Sequence, residues 1–253
     1  MSGASQRLIP ILLLDSDRRL VKTVAFGDRT YVGDPFNIIR LFNDKEVDEI
    51  CLLDIDAGTD RRGPDFQFVA AIASECFMPL AYGGGLSKVE DLRRLNRVGV
   101  EKFVLGRAVF DEIFLREAIS EFGSQAIVAC IDFDHIDGRN VCWINGRREM
   151  RLEDPLTVAC RMQDLGVGEI LLQSVARDGT RTGYDCDIIS KASRSLAVPV
   201  IAAGGAGDIQ DLKSAFLSGA SAAASGTAFT FIGPLRAVLV TYPTSAEREA
   251  RGL

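Results

Sequence analysis

The segment LAYGGGLSKVEDL, residues 80–92, sets Gly84 and Gly85 between a short apolar run and a helical pattern. PVIAAGGAG sets Gly204 and Gly205 in the same context 120 residues later. A backbone without Cβ can approach an anion closely, and free N–H groups at the start of the following helix add donors and partial positive charge. The chemistry open to such residues is capture of phosphate-like groups. One motif of this kind alone reads as a tight strand-to-helix turn that needs positive φ. Two copies in register shift the reading toward anion binding. Each is followed 21 or 22 residues on by a second small-residue strand end, Gly106-Arg107 and Gly226-Thr227, able to close a site from the neighbouring strand. Two such sites on opposite sides of one mouth suit a ligand with an anionic group at each end.

The elements that must carry these loops are legible as alternation. LIPILLL, EICLLDI, PLAY, KFVLG, AIVACID, EILLQS, PVIAA and SAAAS are β-type runs, and between them lie amphipathic helical patterns such as PFNIIRLFNDK, SKVEDLRRLNRVG, DPLTVACRMQDLG and DIQDLKSAFLSG. Continuous apolar runs alternating with helices predict parallel βα units buried on both faces, and eight of them predict an α/β fold, a closed (βα)8 TIM barrel with its site at the strand C-terminal face. The offset of 120 recurs at Asp34-Pro35 and Asp154-Pro155, Glu49 and Glu169, Pro79 and Pro199, Asp91-Leu92 and Asp211-Leu212, and Gly99 and Gly219. One register held across five elements predicts two duplicated (βα)4 halves, about 7–122 and 123–242, in a single domain over 1–242. The polar tail 243–253 is expected to fray.

Composition removes several classes. The chain has 253 residues and a formal charge of −6, which gives no footing for general nucleic-acid binding. No apolar run approaches the ~18 residues of a membrane span, and MSGASQRLIP lacks the charged-then-apolar order of a signal peptide, so a cytoplasmic location is expected. Six scattered cysteines without a CxxC pair read as buried free thiols, and His135 is the sole histidine, so metal sites and Ser-His-Asp chemistry have little material. Residues 132–149 read as a β-hairpin after the fifth strand, with Trp143 and His135 packed or solvated, and residues 16–33 as the matching excursion after the first.

The segments RLIPILLL, LVKTVAF, DEICLLDI, PLAYGGGLSKVEDLRRL, FGSQAIVACID, GVGEILLQSVARDGTRTGYD and PVIAAGGAG together resemble the cyclase subunit of imidazole glycerol phosphate synthase, from about residue 7 to 240. That resemblance implies a half-duplicated barrel binding a substrate with two phosphates. It implies ammonia arriving through the barrel from a glutaminase docked on the N-terminal face, with no cofactor and no metal. It also implies a general acid/base pair of aspartates on the first and fifth strands. The second matches Asp132. The first does not survive: Leu13 stands where the carboxylate is expected, and Asp15 lies two residues further on, in the loop beyond the strand. Phosphate contacts are implied at Gly84, Gly85, Gly106, Arg107, Gly204, Gly205, Gly226 and Thr227, with Ala176 where the family carries an acid. Lys22 matches a loop lysine that approaches the ligand's anionic end or is simply solvated. An ammonia gate on the barrel floor is implied at Arg7, Glu49, Lys102 and Asp187.

IPILLLDSDRRLVKTVAF, ASECFMPLAYGGG and the ending GPLRAVLVTYP are similar to a branch of this family found in surface-polysaccharide gene clusters, where an acetamido sugar becomes an acetamidino sugar. Replacing an amide oxygen by nitrogen needs an activated oxygen, and the chain has no Gly-x-x-x-x-Gly-Lys-Ser/Thr loop. An ATP-dependent synthetase partner would therefore activate the amide, a glutaminase would release ammonia, and this barrel would shield it between them. The mouth would hold a phosphorylated small molecule, a sugar nucleotide or a loop of the synthetase. Two other functions stay open: the histidine-pathway cyclase, and a non-catalytic anion-binding scaffold.

Overall fold

Strands that are apolar on both faces must be covered on both sides, and a closed parallel sheet inside a ring of helices achieves this. The computed structural model describes residues 6–60, 62–144, 146–232 and 237–253. Residues 1–5 of the N-terminal segment and residues 233–236 of the C-terminal motif, both used above, lie outside them.

Eight parallel strands form the barrel: β1 (Arg7–Leu14), β2 (Ile50–Asp54), β3 (Leu80–Gly83), β4 (Lys102–Leu105), β5 (Ile127–Ile136), β6 (Glu169–Ser174), β7 (Val200–Ala203) and β8 (Ala222–Ser225). Their spatial order is β6-β7-β8-β1-β2-β3-β4-β5, and pairing of β5 with β6 closes the cylinder. Seven helices connect them: α1 (Pro35–Asn43), α2 (Phe66–Glu75), α3 (Val89–Arg97), α4 (Glu112–Phe122), α5 (Pro155–Leu165), α6 (Cys186–Ser195) and α7 (Ile209–Leu217). The fold is the expected (βα)8 TIM barrel.

Side chains alternate between two cores because strand residues alternate in direction. Leu8, Leu12, Leu52, Phe103 and Ile170 point outward and pack with helix residues such as Ile39, Phe42, Ile72 and Leu115. Ile9, Ile11, Cys51, Ala81, Val104, Val128, Leu171 and Ile201 point inward and form a separate apolar cluster in the lumen. The register sets Leu13 beside Leu53, and Leu53 beside Gly83.

Residues 120 apart adopt matching conformations. Asp34 and Asp154 each precede a proline at the first helical turn, and each carboxylate accepts backbone N–H groups, of Asn37 for α1 and of Leu156 and Thr157 for α5. Such caps contribute about 1 kcal/mol each. Gly84 and Gly85 (φ 125° and 67°) mirror Gly204 and Gly205 (φ 85° and 114°).

Two excursions rise from the C-terminal end of the barrel. Strands Leu20–Thr23 and Arg29–Gly33 form an antiparallel pair folded back on β1. After β5, Arg139–Ile144 pairs antiparallel with the strand's end, as the hairpin expectation has it, and Glu149–Arg151 extends it. Among the described residues no helix is long and apolar enough to cross a membrane.

The tail differs from the expectation of fraying. Residues Ser245–Arg251 form a further helix, α8, whose start is locked by a capping box between Thr244 and Glu247. Arg248 on this helix ion-pairs with Asp48 at 2.9 Å and donates to the Gln6 carbonyl at 2.6 Å. The Tyr242 hydroxyl donates to the Leu8 carbonyl at 3.0 Å and accepts from the Asp48 N–H. Polarity alone misleads here, because the polar atoms of the tail are spent on the barrel floor.

Candidate functional site

The floor is built from residues at the N-terminal ends of four strands. Arg7 Nη1 lies 2.6 Å from Glu49 and Nη2 lies 2.8 Å from Glu169; Lys102 Nζ lies 2.9 Å from Glu49 and 3.3 Å from Glu169. Two cations and two anions alternate in a closed ring across the lumen. Burial alone would lower the Arg7 pKa, but the Glu169 and Glu49 carboxylates prevail and raise it. Every charge in the ring is paired on two sides.

The fourth position of this ring is Glu169, and the expectation of Asp187 is corrected. Asp187 sits in the first turn of α6, which begins at the opposite, C-terminal end of the barrel, and its carboxylate pairs with Lys191 at 2.7 Å in open solvent. Glu169 was recognisable as the repeat partner of Glu49, since residues 120 apart occupy equivalent barrel positions.

Above the ring the lumen is lined by the apolar cluster, and it opens at the C-terminal face into a cavity of about 1050 Å³. All eight residues expected at phosphate sites line this one cavity: Gly84, Gly85, Gly106, Arg107, Gly204, Gly205, Gly226 and Thr227. The double glycines have a steric cause independent of any ligand. A Cβ on Gly84 would lie 2.3 Å from the Asp54 carbonyl oxygen, and one on Gly204 would lie 2.3 Å from that of Ser174. The two halves differ electrostatically. Lys88 at the start of α3 makes no side-chain cap, although Asp91 there donates its N–H to the Lys88 carbonyl and accepts the Ser87 N–H on its carboxylate; Lys88, Arg107 and Arg148 line the same rim. At α7 the Asp208 carboxylate accepts the N–H groups of Gln210 and Asp211, and Asp211 accepts that of Gly207. The halves therefore differ in that a side-chain carboxylate caps α7 and none caps α3.

Asp132 points into the cavity from β5. Burial pushes its carboxyl up to about 7; a weak hydrogen bond from the Cys130 thiol opposes this, and the nearby Asp178 charge adds to it. Leu13 lines the cavity from β1. Asp15 does not reach it: its carboxylate accepts the N–H groups of Asp17 and Arg19 and the Arg19 guanidinium, closing the loop after β1. The position two residues along shares Leu13's side of the strand, but the chain has already turned.

Further polar residues that the sequence did not single out as a set complete the mouth. Asp178 accepts from Gln173 at 3.0 Å and from Thr23 at 3.1 Å, and burial raises its pKa despite those bonds and Lys22. Lys22 is not solvated. It is 6% exposed, its amine donates to the Ile11 carbonyl, and burial lowers its pKa to about 8. On the rim, Arg62 grips Asp54 through both carboxylate oxygens and Arg29 does the same to Asp56.

Residues 7–233 match the family described as "Histidine biosynthesis protein". The chain is 45% identical over 242 residues to the Pseudomonas aeruginosa protein named "Putative imidazole glycerol phosphate synthase subunit hisF2", covering 94% of this chain and 96% of that one. It is 40% identical to the corresponding "hisF3" protein of Vibrio vulnificus, over 96% and 95% of the two chains. With the "Imidazole glycerol phosphate synthase subunit HisF" of Alkaliphilus metalliredigens it shares 39% identity over 87% of this chain and 88% of that one.

Proposed function

The chain belongs to the histidine biosynthesis protein family, and from that premise we propose that it is an ammonia-receiving synthase subunit whose own ring-closing chemistry has been lost. A glutaminase docks on the N-terminal face, over the ring of Arg7, Glu49, Lys102 and Glu169. Ammonia passes the ring when one side chain swings aside, then crosses a lumen lined by Ile9, Cys51, Val128 and Leu171. An apolar path suits neutral ammonia and excludes its protonated, dilute bulk form, which increases the effective concentration at the mouth.

One observation carries the loss of cyclisation. The first-strand residues that line the cavity are Ile11 and Leu13, whose hydrocarbon moves no proton, and the nearby Asp15 is bonded to Arg19. Asp132, neutral or charged near pH 7, then works without its first-strand partner. The product served is an acetamidino sugar of surface polysaccharide, made from an acetamido sugar with an ATP-dependent synthetase. The branch-like segments at both ends of the chain support this reading. The cavity, with Lys88, Arg107 and Arg148 on one side, suits a phosphorylated sugar or sugar nucleotide. A second reading, the cyclase subunit of histidine biosynthesis, is favoured by the names of the relatives.

The experiment that separates them supplies the purified chain with ammonium salt and the histidine-pathway substrate. No turnover above background is expected. Turnover at the rate of a cyclase run alongside would establish the second reading, and restored turnover in Leu13→Asp would identify Leu13 as the cause of the loss.

A further inference from the structure

We propose that Lys22 is an imine-forming amine, and that the barrel mouth captures a phosphorylated aldehyde or ketone through it. Lys22 lies on the short strand folded back over the end of β1, so its side chain enters the cavity from above the lumen. A lysine buried for packing alone normally finds a carboxylate. This one finds the main-chain carbonyl of Ile11, and among the described residues no carboxylate lies within ion-pairing distance of its amine. Lys102 on the floor shows the contrast, with carboxylates on two sides.

The site also makes room for the amine. A Cβ on residue 226 would lie 2.3 Å from Lys22 Nζ, so the amine occupies the space that a side chain there would take, and the negative-φ backbone of Gly226 does not itself call for glycine. A desolvated amine held by a neutral acceptor is the arrangement that leaves a lysine nucleophilic near neutral pH. Burial lowers its pKa to about 8 although the Asp178 carboxylate, beyond ion-pairing distance, pulls it the other way. The glycine loops line the same cavity and would hold the phosphate, while Asp132 stands in it as a proton carrier.

The step balances without a further reactant. The Nζ lone pair attacks the carbonyl carbon, the C=O π bond becomes a hydroxyl, and the oxygen then leaves as water carrying both amine protons, one of them by way of Asp132. The C=N bond of the imine remains. No oxidant, reductant or metal takes part. This goes beyond the ammonia-receiving reading and does not depend on it, because it concerns a carbonyl ligand of the mouth and not the nitrogen supply.

Pyridoxal 5′-phosphate, a phosphorylated aldehyde, tests it on the full chain, with unphosphorylated pyridoxal beside it. Borohydride reduction fixes any imine, and peptide mass mapping assigns it among only six lysines. Lys22 is expected to label about tenfold or more faster than Lys45, Lys88, Lys191 or Lys213, and faster with the phosphorylated probe than without the phosphate. Gly226→Ala keeps Lys22 but displaces its amine, and is expected to slow labelling there by about tenfold, with thermal unfolding reporting that the variant is folded. Lys22 unlabelled, labelled no faster than the exposed lysines, or labelled equally by both probes in the unaltered protein would overturn the proposal, whatever the variant does.

Discussion

Replacing Asp132 by Asn should change how stability depends on pH, and the direction follows from burial. Folding moves this carboxyl from an ordinary value of 3.8 to about 7. Between those values the native state binds a proton that the unfolded chain has released. Stability of the unaltered protein therefore falls as pH rises from about 4 to 7 and is flat above, so far as this group is concerned. At 1.36 kcal/mol per pH unit the whole effect is about 4 kcal/mol as a ceiling. Asn cannot ionise, so relative to the low-pH limit, where the two proteins differ by no ionisation effect, Asp132→Asn should gain about 1 kcal/mol on the parent at pH 4.5 and up to about 4 kcal/mol at pH 8. Asp178 shifts in the same direction, but it is present in both proteins and largely cancels in the difference. Urea unfolding of the two proteins at pH 4.5, 6 and 8 measures this. Parallel pH profiles would refute the assignment of a desolvated carboxyl to residue 132.

Other substitutions test other parts of the account. Glu169→Gln should cost about 1–3 kcal/mol in urea unfolding, because it leaves Arg7 and Lys102 sharing one carboxylate, whereas Asp187→Asn should stay within about 0.5 kcal/mol. Gly84→Ala and Gly204→Ala should each cost about 2 kcal/mol or more, since a Cβ would meet a carbonyl oxygen at positive φ; Gly106→Ala, with open space around it, should be close to neutral. Arg248→Ala should lower stability by about 1–2 kcal/mol by freeing α8 from Asp48 and Gln6, measurable as a lower unfolding midpoint.

Periodicity made the barrel readable. Short runs such as EICLLDI and PVIAA, recurring between helical patterns, fit parallel strands covered on both sides. The repeat at 120 pairs Asp34 with Asp154 and one double glycine with the other, and the structure gives each pair a local backbone cause, a helix cap for the aspartates and positive φ for the glycines. What escaped depends on long-range geometry. Glu169 joins the floor ring because β6 lies across the lumen from β2, and Asp187 leaves it because α6 starts at the other end. Residue type leaves Lys22 open between a solvated loop charge and a lysine near the ligand, and only the folding of the strand Leu20–Thr23 back over the barrel end buries it in the mouth. The tail looked frayed because its partners, Asp48 and the Leu8 and Gln6 carbonyls, are some 200 residues away along the chain.

The passage of ammonia along the barrel axis is the central claim, and an isotope competition tests it most directly. A complex of this chain with its glutaminase and the synthetase is given glutamine labelled with ¹⁵N in the amide, in a bath of unlabelled ammonium, and the nitrogen in the product is read by mass spectrometry. The product should carry the label, and Lys102→Ala should let the bath dilute it. A product in isotopic equilibrium with the bath in the unaltered complex would contradict the account.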